Sequence, residues 1–213
     1  MKGCFITFEG GEGVGKTVQA LRFAHWLESL GLMFHLTREP GGTEIGGQIR
    51  DVLLRMRNRE IQPLVELMLF SADRADHVLE LIKPALERGM IVVCDRYADS
   101  TQTYQGFAGQ LDLGLIKLVT DISTGGLEPN FTFLLDLLPE IGLLRKMGGP
   151  QEWNRLDAKD LDFHRRVRQG YLLLAKHNSR FIKIDASFSE EIVFQEIKKQ
   201  AQEKILPFCP QIN

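Results

Sequence analysis

One short stretch narrows the possible folds more than any other. The apolar run Phe5-Ile6-Thr7-Phe8-Glu9 passes directly into Gly10-Gly11-Glu12-Gly13-Val14-Gly15-Lys16-Thr17, and a helical apolar pattern opens at Val18-Gln19-Ala20-Leu21. This is a buried strand, a glycine-rich turn and a helix start, with the spacing G-x-x-x-x-G-K-[ST]. Gly10 and Gly15, helped by Gly11 and Gly13, allow backbone conformations that a Cβ opposes. The loop's N–H groups then converge on a phosphate at a helix N-terminus. Lys16 brings a point charge to the β- and γ-phosphates, and the Thr17 hydroxyl is placed to ligate Mg²⁺. A chain built this way binds a nucleoside triphosphate.

The chain has 213 residues, enough for one domain with a sizeable core and at most a small insertion. With 26 Lys and Arg against 28 Asp and Glu, the net charge of −2 does not recommend nucleic acid as a partner. Cys4, Cys94 and Cys209 show neither metal spacing nor a disulfide framework, which fits a reducing cytosol. The first strand leaves no room for a signal peptide, and no run approaches transmembrane length. The expected setting is therefore cytoplasmic, with no membrane partner.

Along the chain, strands alternate with helices. After a helix reaching about Leu30, Met33-Phe34-His35-Leu36-Thr37 reads as a strand. A loop rich in backbone breakers follows, with Thr43 placed to open a helix. Another helix starts near Pro63, which suits a first turn, and reaches about Glu87. Met90-Ile91-Val92-Val93-Cys94 has the continuous apolar character of a central parallel strand. A helix is expected over residues 111–122, a strand at Phe131-Thr132-Phe133-Leu134-Leu135, and a helix opening at Pro139-Glu140. Gly148-Gly149-Pro150 breaks it. A long helix is predicted from residue 157, carrying His164, Val167, Tyr171 and Leu174 on one face. Phe181-Ile182-Lys183-Ile184-Asp185 and a helix over residues 190–205 complete the pattern.

This order predicts an α/β fold of P-loop NTPase type: three layers, a five-stranded parallel sheet, and a single domain over residues 1–213. Ligands of such sheets lie at the carboxyl ends of strands, where Glu9, Arg38, Asp95, Arg96, Asp136 and Asp185 fall. Arg38, Arg50, Arg74 and Arg96 are spread over strand ends and neighbouring helices. Two phosphates brought within bonding distance repel strongly at low dielectric, and planar guanidinium groups grip phosphate through paired hydrogen bonds. The joint placement favours phosphoryl transfer to a phosphorylated acceptor. The base-reading Asn-Lys-x-Asp of a guanine-specific switch is absent.

The cradle at residues 10–17, Thr37-Arg38-Glu39-Pro40-Gly41-Gly42-Thr43, Asp95-Arg96-Tyr97-Ala98-Asp99-Ser100, Tyr104-Gln105-Gly106 and the stretch over residues 157–171 together resemble thymidylate kinase of the bacterial type. The resemblance covers nearly the whole chain in order. It implies magnesium-dependent transfer of the ATP γ-phosphoryl group to dTMP, giving dTDP and ADP on the way to dTTP, and a homodimer. It further implies that Glu12 meets the sugar 3′-hydroxyl, that Glu39 lies near the phosphates through Mg²⁺-bound water, and that Arg50 and Arg96 hold the dTMP phosphate. Phe70 would stack on thymine while Arg74, one turn on, reaches its O4; a Phe at this spacing is otherwise plain core. Thr101 and Gln105 would meet the base edge, and Tyr104 would crowd the sugar 2′ position. Asp95 would orient Mg²⁺-bound water or Arg96, or else serve as a structural partner of the loop.

The same resemblance makes residues 142–156 a mobile lid. An arginine on the transferring phosphoryl group comes from the cradle or from the lid, and the cradle position here is Gly13. Arg155 is the expected lid arginine, acting as a finger in cis, with Arg145 the alternative. Asp185-Ala186-Ser187 resembles the loop that packs near adenine. Rival readings are a kinase tuned to dUMP, dCMP or a nucleoside, a protein that binds ATP without transferring its phosphoryl group, and a nucleic-acid-dependent ATPase.

Overall fold

Successive side chains of a strand point to opposite faces, so a run such as Cys4-Phe5-Ile6-Thr7-Phe8-Glu9 must be covered twice. The computed structural model of the chain describes residues 3–56, 60–149 and 153–209. Its first elements are β1 (Cys4–Glu9), α1 (Lys16–Ser29), β2 (Phe34–Arg38) and α2 (Glu44–Leu54). α3 (Pro63–His77) runs through a π-helical turn (Val78–Ile82) into α4 (Lys83–Glu87), followed by β3 (Ile91–Asp95). α5 (Ala98–Thr101) widens into a π-helical stretch (Gln102–Ala108) before α6 (Leu113–Thr124) and β4 (Phe131–Asp136). α7 (Pro139–Met147), α8 (Leu161–His177), β5 (Phe181–Asp185) and α9 (Glu190–Gln200) complete the fold, with a last π-helical turn over Ala201–Ile205.

The five strands form one sheet in the order β2-β3-β1-β4-β5, with every neighbouring pair parallel. Cys4, Ile6 and Phe8 pack on one face against Phe23 and Leu27 of α1 and Val193 and Ile197 of α9. Phe8 meets Phe133 at 5.1 Å and Phe23 at 5.7 Å between ring centroids. Phe5 packs on the other face with Val78, Ile82 and Tyr97, so the expected three layers are present. By the same alternation Glu9 shares the face of Phe5 and Thr7, which puts a carboxylate among α5 and α8. Parallel register sets Phe8 and Arg38 on either side of Asp95. The ends of β1, β2 and β3 therefore share one sheet edge.

Two local expectations change. The long helix starts at Leu161, because Asp160 is its cap and accepts the Phe163 N–H at 2.7 Å; Asp157 precedes it in a turn. The helical stretch over Ala98–Ala108 was not expected at all. The helix opened by Pro139 ends at Met147, before Gly148 and Gly149, as expected. Pro150 and Gln151 lie outside the described residues. Among the described residues no helix is long and apolar enough to cross a membrane.

Candidate active site

The cradle leaves β1 as read from the sequence, and tertiary packing fixes its glycines. Gly13 has φ +65°, and a Cβ there would stand 1.8 Å from the carbonyl oxygen of Gly142. Conversely, a Cβ on Gly142 would stand 2.2 Å from the Glu12 carbonyl oxygen. Loop and α7 thus meet backbone to backbone, and a larger residue at position 13 has no room. Val14 anchors the loop by joining the core beneath α1.

Lys16 is buried and donates to Gly11 O at 2.5 Å. Burial and the Arg96 charge bring its ammonium down to about 8, against the pull of Glu12 and Asp95. Thr17 Oγ1 donates to Asp95 Oδ2 at 2.5 Å, while Asp95 Oδ1 is buried with no hydrogen-bond partner among the described residues. A free carboxylate oxygen beside a threonine hydroxyl at the cradle's end is a donor set suited to a hard cation and its waters.

Glu12 gathers two cations and a hydroxyl from three parts of the chain. Arg96 Nη2 lies 2.8 Å from Oε1, Lys146 Nζ lies 3.3 Å from Oε2, and the Tyr104 hydroxyl donates to Oε1 at 2.8 Å. Burial alone would raise the Glu12 carboxyl, but Arg96, Lys16 and Lys146 hold it well below the usual range. The whole forms one cleft of about 300 Å³, with Lys16 and Thr17 at one end and Phe70, Arg74, Thr101 and Gln105 on its wall.

Arg96 follows β3 with φ 72°, a left-handed conformation uncommon for a residue with a Cβ. Arg50, from α2, donates to Pro40 O at 2.8 Å. Burial and the charges of Arg38 and Arg96 push its guanidinium below its usual value, against the opposing pull of Asp95 and Asp73. Arg74 is buried beneath the breaker loop. Its Nε donates to Glu39 Oε2 at 2.9 Å, and His77 Nδ1 meets Glu39 Oε1 at 3.0 Å. His77 Nε2 in turn pairs with Thr37 Oγ1 at 2.7 Å. Glu39 is therefore engaged at both oxygens rather than solvated in its loop. Gln105 Nε2 donates to Glu66 Oε1 at 2.6 Å.

Both expected lid arginines are engaged with protein groups. Arg155 is buried, donating through Nε to Leu53 O at 3.0 Å and through Nη2 to the Glu66 carboxylate. It does not line the cleft. A buried carboxylate such as Glu66 is costly without a cation, and Arg155 answers that demand. Arg145 does line the cleft, but its guanidinium ties α7 to Ala186 O at 2.8 Å and Ser187 O at 3.2 Å. The cation facing the cradle is Lys146, 2.6 Å from Asp157 and 3.3 Å from Glu12. Sequence reasoning also gave no role to Glu9, His77, Ser100 or Tyr171. Ser100 and Tyr171 lay within motifs already singled out, whereas Glu9 and His77 carried no signal beyond a strand end and a helix position.

A parallel sheet whose first strand feeds a phosphate cradle, facing a cleft ringed by arginines, defines a P-loop nucleotide kinase. The family model described as thymidylate kinase matches residues 8–197. The chain belongs to the thymidylate kinase family, as the order of its motifs led us to expect. A thymidylate kinase of Trichormus variabilis is 46% identical over 201 residues, covering 93% of this chain and 95% of that protein. One of Trichodesmium erythraeum is 45% identical over 222 residues, covering 97% and 98%. A crystal structure of thymidylate kinase from Ehrlichia chaffeensis matches with a TM-score of 0.75 at 33% identity, covering 93% of this chain and 98% of that one. The reaction of the family moves the γ-phosphoryl group of ATP to dTMP, giving dTDP and ADP.

Proposed function

We propose that this cleft performs that reaction in line, with the ATP tail in the cradle of residues 10–17 and dTMP along the wall from Phe70 to Arg96. One observation carries the acceptor side. Arg74 Nη1 and Thr101 Oγ1 are buried without partners among the described residues, and both side chains line the cleft. An unmet buried polar group costs about 1–3 kcal/mol, which the edge of a pyrimidine base would relieve. Phe70 stacks on that base, Gln105 stands at its edge, and Tyr104 fills the space beside the sugar. Glu12 accepts the 3′-hydroxyl, and Arg50 and Arg96 grip the monophosphate.

Thr17 and Asp95 fit Mg²⁺ better than Glu39 does, since Asp95 keeps one oxygen unpartnered and Glu39 keeps none. When bound there, Mg²⁺ neutralises charge on the β- and γ-phosphates. An oxygen of the dTMP phosphate bonds to the γ-phosphorus as the bond to the β,γ-bridging oxygen breaks, and ADP departs. The attacking group is already an anion, so no protein nucleophile or base is needed. Lys16, Arg96 and Lys146 hold the charge that spreads over the equatorial oxygens.

The chain works in the cytoplasm as one domain and as a homodimer. Ile45 of α2, Leu64, Val65 and Met68 of α3, and Leu118 and Ile122 of α6 are apolar and exposed on neighbouring helices, a face suited to a second copy. The test is ADP formation by the purified protein with ATP, Mg²⁺ and dTMP, dUMP, dCMP or thymidine. dTMP should give the fastest turnover, and the same preparation should sediment at twice the chain mass. If dTMP does not accelerate ATP consumption, the proposal fails.

A further inference from the structure

Glu9 closes β1 one residue before the cradle and is fully buried, yet nothing in the reaction above uses it. Its Oε1 accepts the backbone N–H of Tyr97 at 2.7 Å. Its Oε2 accepts the Ser100 and Tyr171 hydroxyls, each at 2.7 Å. Those two hydroxyls stand 2.9 Å apart, and Arg96 Nη1 donates to Ser100 at 3.2 Å and to Tyr171 at 3.4 Å. The contact at Tyr97 pins the peptide immediately after the left-handed Arg96. Arg96 N–H is held from the other side by Phe8 O at 3.0 Å.

The geometry points to Glu9 as a positioning residue for the arginine that receives the acceptor phosphate: it locks the Arg96 turn and orients two hydroxyls toward that guanidinium. The inference rests on the reading that Arg96 holds the dTMP phosphate. Each hydroxyl has one proton. An ionised Glu9 draws both protons to itself, which leaves oxygen lone pairs facing Arg96. A protonated Glu9 must donate to one of them, so that hydroxyl no longer presents itself in the same way.

The groups facing Glu9 are Asp99 and Ser100 from α5, Arg96 and the Cys94 thiol from the β3 end, Tyr171 from α8, and Lys16 from α1. Burial and the Asp99 charge bring its carboxyl up to about 7, against the opposing effects of Arg96, Tyr171 and Ser100. The sign follows. The ionised form, and with it the ordered acceptor site, is present above that value and is lost as pH falls through it. Stability runs the other way, because a carboxyl raised on folding contributes stability that is fully present below its unfolded value and lost as pH rises through about 7.

These opposite signs separate positioning from mere packing. At pH 8, Glu9→Gln presents an amide N–H₂ to the two hydroxyls. The KM for dTMP should rise at least about tenfold, the loss expected for hydrogen bonds to a charged group. The KM for ATP should stay unchanged and the melting temperature should be no lower than that of the unaltered chain. The unaltered chain should also lose dTMP affinity below pH 7 more steeply than the variant, the titration of the substrate's own phosphate being common to both. Arg96→Lys is the control. If it leaves the KM for dTMP unchanged, the reading of Arg96 fails and this inference with it. If Arg96→Lys raises that KM while Glu9→Gln changes neither KM nor pH profile, Glu9 does not position Arg96. Equal loss toward both nucleotides with a lowered melting temperature would also overturn it. Should Glu9→Gln not fold, Tyr171→Phe keeps the carboxylate and removes one hydroxyl; a KM for dTMP equal to the unaltered chain's would then contradict the inference.

Discussion

Lys146 and Arg155 stand nine positions apart in the segment read as the lid and carry the same charge, yet they meet different partners. Lys146 faces the cradle through Glu12, whereas Arg155 closes a buried pair with Glu66. Removing one partner of a buried pair strands the other, at a cost of about 3–5 kcal/mol. Arg155→Ala should therefore melt well below the unaltered chain, while its folded fraction turns over at close to the normal rate. Lys146→Met strands the buried Asp157 and should melt lower as well, but its folded fraction should lose about a hundredfold or more in kcat, as when one preorganised charge is removed. Thermal melts paired with single-turnover kinetics decide between these outcomes; the reverse pattern would restore Arg155 to the reaction. The family resemblance favoured Arg155 as the lid arginine, with Arg145 as the alternative. What decides its role is a carboxylate 89 positions away, and no local spacing reveals such a partner. Lys16, Thr17 and the cradle glycines were legible for the opposite reason, because their chemistry is local.

Among the elements, β1, β3 and β4 were legible because their largely apolar runs are covered on both faces, whereas the edge strands β2 and β5 carry polar residues and are only partly covered. The stretch over Gln102–Ala108 was not, since its widened π-helical turns do not follow the 3.6-residue period by which helices are read. That stretch places Tyr104 and Gln105 in the cleft, so part of the site was recognisable by motif while its backbone was not. The junction of α7 with the cradle was equally hidden. Gly142, where the expected lid starts, is also where α7 docks on the cradle. Its Cβ would lie 2.2 Å from Glu12 O, and crowding of this kind costs about 1–3 kcal/mol. Gly142→Ala should raise the KM for ATP about tenfold by the same reckoning, with the KM for dTMP less affected. Equal KM values for both nucleotides before and after the substitution would show that loop and helix can part without consequence.

For the molecule as a whole, a net charge of −2 conceals a strongly cationic cleft. Arg38, Arg50, Arg74, Arg96, Lys16 and Lys146 come from separate elements and converge only because a parallel sheet brings its carboxyl ends to one edge. Glu12, Glu39, Asp95 and Asp157 lie among them and offset part of that charge. The central claim is that this single cleft seats two nucleotides head to head. A crystal structure with dTMP and a non-hydrolysable ATP analogue tests it most directly. The account predicts thymine between Phe70 and Arg74, its phosphate against Arg50 and Arg96, and the triphosphate tail wrapped by residues 10–17. A monophosphate seated away from Arg96, or a triphosphate outside that loop, would contradict it.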